Sequence, residues 1–121
     1  MKTIISETVA RDRVDDTIVA VEIFHETLRG MEFLADVGPA VTVFGSARFT
    51  SRHAYYRLAR ETGAAFARAG YSVITGGGPG LMQAANEGAS EADPGDTRKS
   101  VGIRVALPFE QSVNPFVEQG F

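Results

Sequence analysis

The sequence predicts an α/β fold with a parallel, doubly wound sheet, incomplete at three strands and carrying an extra helix at its N-terminus. Three observations predict it. Short β-branched runs, Ala40–Phe44, Tyr71–Thr75 and Ser100–Ala106, alternate with segments of helical periodicity, an order that right-handed crossovers turn into a parallel sheet. The second run enters Gly76-Gly77-Gly78-Pro79-Gly80 and then LMQAAN, so that a strand, a tight loop and a helix follow one another without a break. The first run ends on Gly45-Ser46-Ala47-Arg48, a small-residue loop at the carboxyl end of a strand, where open parallel sheets place their ligands.

The opening helix is read from Val14 to about Val37. Val14, Ile18, Val21, Phe24, Leu28, Met31 and Leu34 recur there at three- and four-residue intervals, one face of an amphipathic helix. Gly30 weakens it locally and Gly38-Pro39 ends it. Residues 1–12 show no clean periodicity and are expected to be loosely held. The segment 1–37 is thus set apart from 38–121, which carries the sheet. Between the first two strands a helix starts near Ser51 or Arg52 and runs to Ala69, with Tyr55, Leu58, Phe66 and Ala69 along one side. Gly70 then stands where a left-handed C-terminal cap is needed. In the next helix, Gly80 to about Ala92, the small residues Ala84, Ala85 and Gly88 permit close packing on the sheet. Glu91–Lys99 reads as a polar surface loop with a Pro-Gly turn, and the residues after Leu107-Pro108 as a loop leading into something further.

A chain of 121 residues has room for one domain with a core, and 44% hydrophobic with 22% charged residues is a globular composition, not a disordered one. There is no cysteine, and His25 and His53 are too isolated to suggest a zinc motif, so neither a disulfide nor a metal is expected. No basic region followed by an apolar core opens the chain, and no apolar run approaches the ~20 residues of a bilayer span. A cytoplasmic protein with no membrane partner is expected. The net charge of −3 argues against a nucleic-acid polymer. Yet Arg48, Arg52, Arg57 and Arg60 fall between Gly45 and Arg60 with no carboxylate among them, a local positive patch that suits a small anion. A solvated helix face is the alternative for most of these arginines.

The glycine loop carries the chemistry. Glycine tolerates positive φ and admits another group close to the main chain, and a helix's first turn has N–H groups without intrahelical partners. Gly76, Gly77, Gly78 and Gly80 ahead of a helix therefore form an anion-binding corner. Ser46 could donate a hydroxyl to a phosphate or ribose and Arg48 could supply charge, with a plain structural turn as the competing account. Leu81 and Met82 are core or the wall of a base-binding pocket, core being the safer assignment for at least one. The loop is not the dinucleotide fingerprint, because Leu81 stands where its third glycine belongs, and it lacks the Gly-Lys-Ser/Thr ending of a P-loop. Neither histidine sits in a recognisable Ser/His/Asp arrangement.

VTVFGSAR (Val41 to Arg48), VITGGGPGLMQAANEGA (Val73 to Ala89) and SVGIRVALPFEQSVNPFV (Ser100 to Val117) resemble the Rossmann-like "Lonely guy" proteins, the cytokinin riboside 5′-monophosphate phosphoribohydrolases once labelled lysine decarboxylases. The resemblance covers about Gly38 to Phe121. It implies hydrolysis of the N-glycosidic bond of a nucleoside 5′-monophosphate to free base and ribose 5-phosphate, with no redox cofactor and no metal, in a homodimer or higher homo-oligomer. It implies that Gly45, Ser46 and Arg48 form one wall of the nucleotide site and Gly76, Gly77, Gly78, Gly80, Leu81 and Met82 the other. Members carry the catalytic Glu and Arg in, and shortly before, a later P-G-G-x-G-T-x-x-E block. This sequence reaches Phe121 without either, so it is read as the N-terminal half of a longer enzyme, as a fragment or a short paralogue, inactive alone; Glu87, Glu110 and Glu118 are the carboxylates near the candidate site, and the resemblance gives none of them a role. The runner-up is a non-catalytic carrier or sensor of a phosphorylated nucleotide or cofactor. Lysine decarboxylation would need a pyridoxal-phosphate lysine, and only Lys2 and Lys99 are present, so it is discounted.

Overall fold

The computed structural model describes residues 4–104 and 113–121. The chain divides into two units, Met1–Ala35 and Asp36–Phe121. The first is a single helix, α1 (Ile4–Ala35). It begins well before Val14, so the stretch expected to be loosely held is helical from Ile4 onward. Helix propagation is cooperative once a first turn exists, and a sequence such as ETVARDR contains no residue that stops it. At the other end Gly38, with φ +75°, and Pro39 close the helical segment as expected.

The second unit runs β1 (Ala40–Thr42), α2 (Ala54–Arg68), β2 (Ser72–Thr75), α3 (Leu81–Ala92), a 3₁₀ turn at Thr97–Lys99, β3 (Ser100–Gly102) and β4 (Gln119–Gly120). Its sheet has the order β1-β2-β3-β4 and every pairing is parallel. This is an incomplete α/β Rossmann-like fold. α2 and α3 each connect sequential parallel strands and pack on each other and on the sheet, as crossovers of the usual right hand, which put both helices on one face, require. β4 was not anticipated from sequence, because Gln119-Gly120 has no β-forming side chain. Its ladder with β3, Val101 opposite Gln119 and Gly102 opposite Gly120, makes it a strand. The strands are shorter than their apolar runs, although Val43 N–H donates to Ile74 O (2.8 Å) and Ile103 N–H to Thr75 O (2.9 Å) past their ends. The expected end of the third strand at Ala106, Leu107-Pro108 and Glu110 lie outside the described residues.

α2 ends in a Schellman motif. Gly70, φ +94°, donates to Ala67 O (3.0 Å), Tyr71 N–H donates to Phe66 O (3.0 Å), and the Tyr71 ring meets Phe66 edge-on at 6.4 Å. It starts later than Ser51 or Arg52, because His53 is the N-cap: its Nδ1 accepts from Tyr55 N–H at 3.1 Å. The core beneath the helices is built from small side chains, Ala67, Ala84, Ala85 and Ala89 against Val73 and Val101. Gly88 does not face the sheet as expected. A Cβ there would run into Arg60 O of α2, and one at Gly63 into Ala85 O of α3, so this pair of glycines lets the two helix backbones touch.

Candidate functional site

Parallel pairing of β1 with β2 brings the two loops at their carboxyl ends together, and the contact between them is intimate. Leu81 N–H, the first amide of α3, donates to Ser46 O at 2.9 Å. A Cβ on Gly80 (φ +76°) would strike the Ser46 carbonyl and lie 2.7 Å from Ala47, and one on Gly45 would lie 2.7 Å from the Leu81 Cβ. Gly45 and Gly80 are therefore small because protein atoms already occupy the space. The Ser46 hydroxyl accepts from Arg48 N–H at 3.2 Å, which fixes the turn and leaves the hydroxyl proton as a donor toward an anion. Arg48 is exposed beside it.

The other loop glycines follow the same logic. Gly77 takes φ +75°, and its missing Cβ would approach Val113 at 3.3 Å. Met82 lies across the loop, with its Cε 2.7 Å from where a Gly78 Cβ would sit and its Sδ 3.2 Å from that of Gly76; the Phe44 ring is 3.2 Å from the same Gly76 position. Gly77, Gly78 and Gly80 are buried, whereas Gly76 is half-buried and Gly45 exposed. Leu81, packed on Gly45, is thus a structural neighbour of the first loop, and Met82 is the side chain that covers the second. The surplus of glycine over what a turn needs has an internal cause. The edge of the corner that these contacts leave open runs past Gly45, Ser46 and Gly76 to the first turn of α3, where the Met82 and Gln83 amides have no partner among the described residues.

Beneath the loop lies a group of buried polar side chains that sequence reasoning missed. Thr75, Asn86 and Ser100 are fully buried and Asn114 is 6% exposed. Thr75 Oγ1 donates to Asn86 Oδ1 (2.6 Å) and accepts from Gly77 N–H (2.9 Å). Asn86 Nδ2 donates to Ser100 Oγ (3.1 Å) and Val101 O (3.3 Å). Asn114 Nδ2 donates to Asn86 Oδ1 and Gly78 O, both at 3.1 Å, its N–H donates to Gly77 O (2.8 Å), and its Oδ1 accepts from Phe116 N–H (3.0 Å). The signal available in sequence was polar residues inside strand and helix patterns, at Thr75, Asn86 and Ser100.

The two candidate carboxylates among the described residues, Glu87 and Glu118, are elsewhere. Glu87 accepts from the Tyr56 hydroxyl at 2.6 Å, on the α2–α3 contact. Burial first, then that hydrogen bond and the charge of Glu87, push the Tyr56 phenol up to about 12. Glu118 N–H pairs with Ser100 O at the start of β3, the amino end of the sheet and opposite to the loops. Its carboxyl is raised by partial desolvation and then by Asp96 and Asp93. The arginine patch also divides. Arg57 and Arg60 line a groove of about 400 Å³ between α2 and α3, together with Glu61, Arg68 and Glu91, and Arg60 is paired with Glu91 at 2.5 Å. Among the described residues no group of His, Asp or Glu side chains could hold a metal ion, and no helix is long and apolar enough to cross a membrane.

Residues 38–115 match the model of the SLOG cluster4 family. No curated protein matches the chain significantly.

Proposed function

The chain belongs to the SLOG cluster4 family, within a superfamily that includes Lonely-guy-like proteins, and on that premise we propose that it is the nucleotide-binding portion of a nucleoside 5′-monophosphate phosphoribohydrolase. One observation carries this reading: the Leu81 N–H to Ser46 O bond locks two glycine-bearing loops side by side at the carboxyl ends of adjacent parallel strands. The positive end of α3 opens there, with the Ser46 hydroxyl and Arg48 beside it, a set of donors suited to a 5′-phosphate. The ribose and base then lie along Gly76, Met82 and Phe44. Gly77, Gly78, Gly80 and Leu81 shape this corner from below. Cleavage needs a carboxylate next to the developing oxocarbenium ion and a group that stabilises the departing base. In this division of labour both come from the P-G-G-x-G-T-x-x-E block of the Lonely guy proteins and the Arg ahead of it. The apolar stripe of α1 supplies a homodimer contact, and the protein works in the cytoplasm.

A specific observation favours the second reading, a carrier or sensor that binds without cleaving, for the chain by itself. Glu87 is engaged by Tyr56 and Glu118 lies at the opposite end of the sheet. Free-base release from AMP, followed by chromatography, separates the two readings. The present chain should bind AMP and release negligible base, and a chain continuing through such a block should turn over without added metal or NAD. An AMP-binding long form that releases no base would establish the carrier reading instead.

A further inference from the structure

The polar cluster beneath the glycine loop is more than a satisfied core. Four polar side chains withdrawn from water stabilise a fold only when every donor and acceptor is met, and an apolar filling would do as well. Here the bonding admits one arrangement. The Val101 carbonyl requires Asn86 Nδ2, the Gly78 carbonyl requires Asn114 Nδ2, and the Phe116 N–H requires Asn114 Oδ1, so neither amide can be turned over. Through this arrangement three main-chain groups of the loop are held: Gly77 N–H by Thr75, Gly77 O by Asn114 N–H, and Gly78 O by Asn114 Nδ2. The peptide bonds are trans, so anchoring the Gly77 carbonyl on Asn114 turns the Gly78 N–H to the opposite side. A run of three glycines would otherwise sample many such orientations.

We propose that Thr75, Asn86 and Asn114 are positioning residues, which fix the Gly76–Gly80 loop, and through it the Gly76 and α3 first-turn edge of the corner, for an anionic ligand before it arrives; the proposal rests on the phosphate-corner reading above. None of the three touches the ligand. Their effect is preorganisation: the loop's conformational freedom is removed in the fold and not at binding. The segment bearing Asn114 thereby becomes part of the site's support, through Ser100 Oγ, 2.5 Å from Phe116 O, and Phe116 N–H on Asn114.

The test is titration of AMP into the chain and four variants at a temperature where all are folded. Thr75→Val keeps the shape and deletes the hydroxyl, and Asn114→Asp keeps the shape and turns a donor into an acceptor facing Gly78 O. Each should raise the Kd for AMP at least ~tenfold, the effect of about one lost hydrogen bond and its orphaned partner. Thr75→Ser, which retains the hydroxyl, should stay within about twofold, and so should Val73→Ala, a core cavity that lowers stability without touching the network. The two network variants act at different ends, so one remains informative if the other does not fold. AMP binding with Kd unchanged in Thr75→Val and Asn114→Asp, or weakened equally in Val73→Ala, overturns the positioning role alone. Absence of AMP binding by the unaltered chain overturns the phosphate corner and this proposal with it.

Discussion

Replacing Gly80 with alanine should damage the fold far more than replacing Gly78, although both belong to one loop. Gly80 has φ +76° and ψ −130°, a backbone conformation outside the left-handed helical region that costs an L-residue ~1–3 kcal/mol. Its new Cβ would press into the Ser46 carbonyl and Ala47, both backbone, which cannot swing aside as a side-chain end can. Overpacking of that kind costs about 1–3 kcal/mol. Separating the loops also stretches the Leu81 N–H to Ser46 O bond, worth ~1 kcal/mol. The sum is at least ~3 kcal/mol, against a typical domain stability of ~5–15 kcal/mol, and corresponds to a fall in Tm of about 12 °C or more. A Gly78 Cβ meets only the Met82 methyl, the free end of a flexible side chain, so Gly78→Ala should cost under ~1 kcal/mol. Thermal melts followed by circular dichroism compare the two. A Gly80→Ala melt close to the unaltered chain, or two equal falls, would refute the packing argument.

Three other expectations follow from the same structure. Tyr56, whose phenol is raised from 10.0 to about 12, binds its proton more tightly folded than unfolded; stability should be intact below pH 10 and fall between pH 10 and 12 by up to ~3 kcal/mol, and urea melts of Tyr56→Phe should lack that component. Gly88→Ala should lower Tm despite the ~1 kcal/mol gain in helix propensity, because its Cβ meets Arg60 O, and an unchanged or raised Tm would contradict the contact between α2 and α3. Arg48→Ala should weaken ribose 5-phosphate binding up to ~tenfold with Tm within about 2 °C, since the side chain is exposed; calorimetric titration showing unchanged affinity would remove Arg48 from the site.

Much of the fold was legible because it rests on local signals. β-branched runs between Gly-Pro and Gly-Ser marked β1, and Gly70 marked the end of α2, where its φ of +94° and the Schellman bonds realise the cap. β4 was illegible because ladder pairing, a non-local interaction, makes a strand of Gln119-Gly120. The extension of α1 to Ile4 escaped because cooperativity carries a helix past its apolar stripe. At the candidate site, adjacency of the two loops followed from strand order. The reason for the glycines did not: composition cannot tell space reserved for a ligand from space taken by Met82, Leu81 or a neighbouring carbonyl. The Thr75, Asn86 and Asn114 network joins β2, α3 and the segment before β4, so its partners meet only in three dimensions.

The most direct test of the central claim is a crystal structure of the chain soaked with AMP. The account predicts the 5′-phosphate between Gly45-Ser46 and the Gly76–Gly80 loop, within hydrogen-bonding reach of the Ser46 hydroxyl and the first-turn amides of α3. AMP bound elsewhere, for instance in the arginine-lined groove between α2 and α3, with the corner empty, would contradict it.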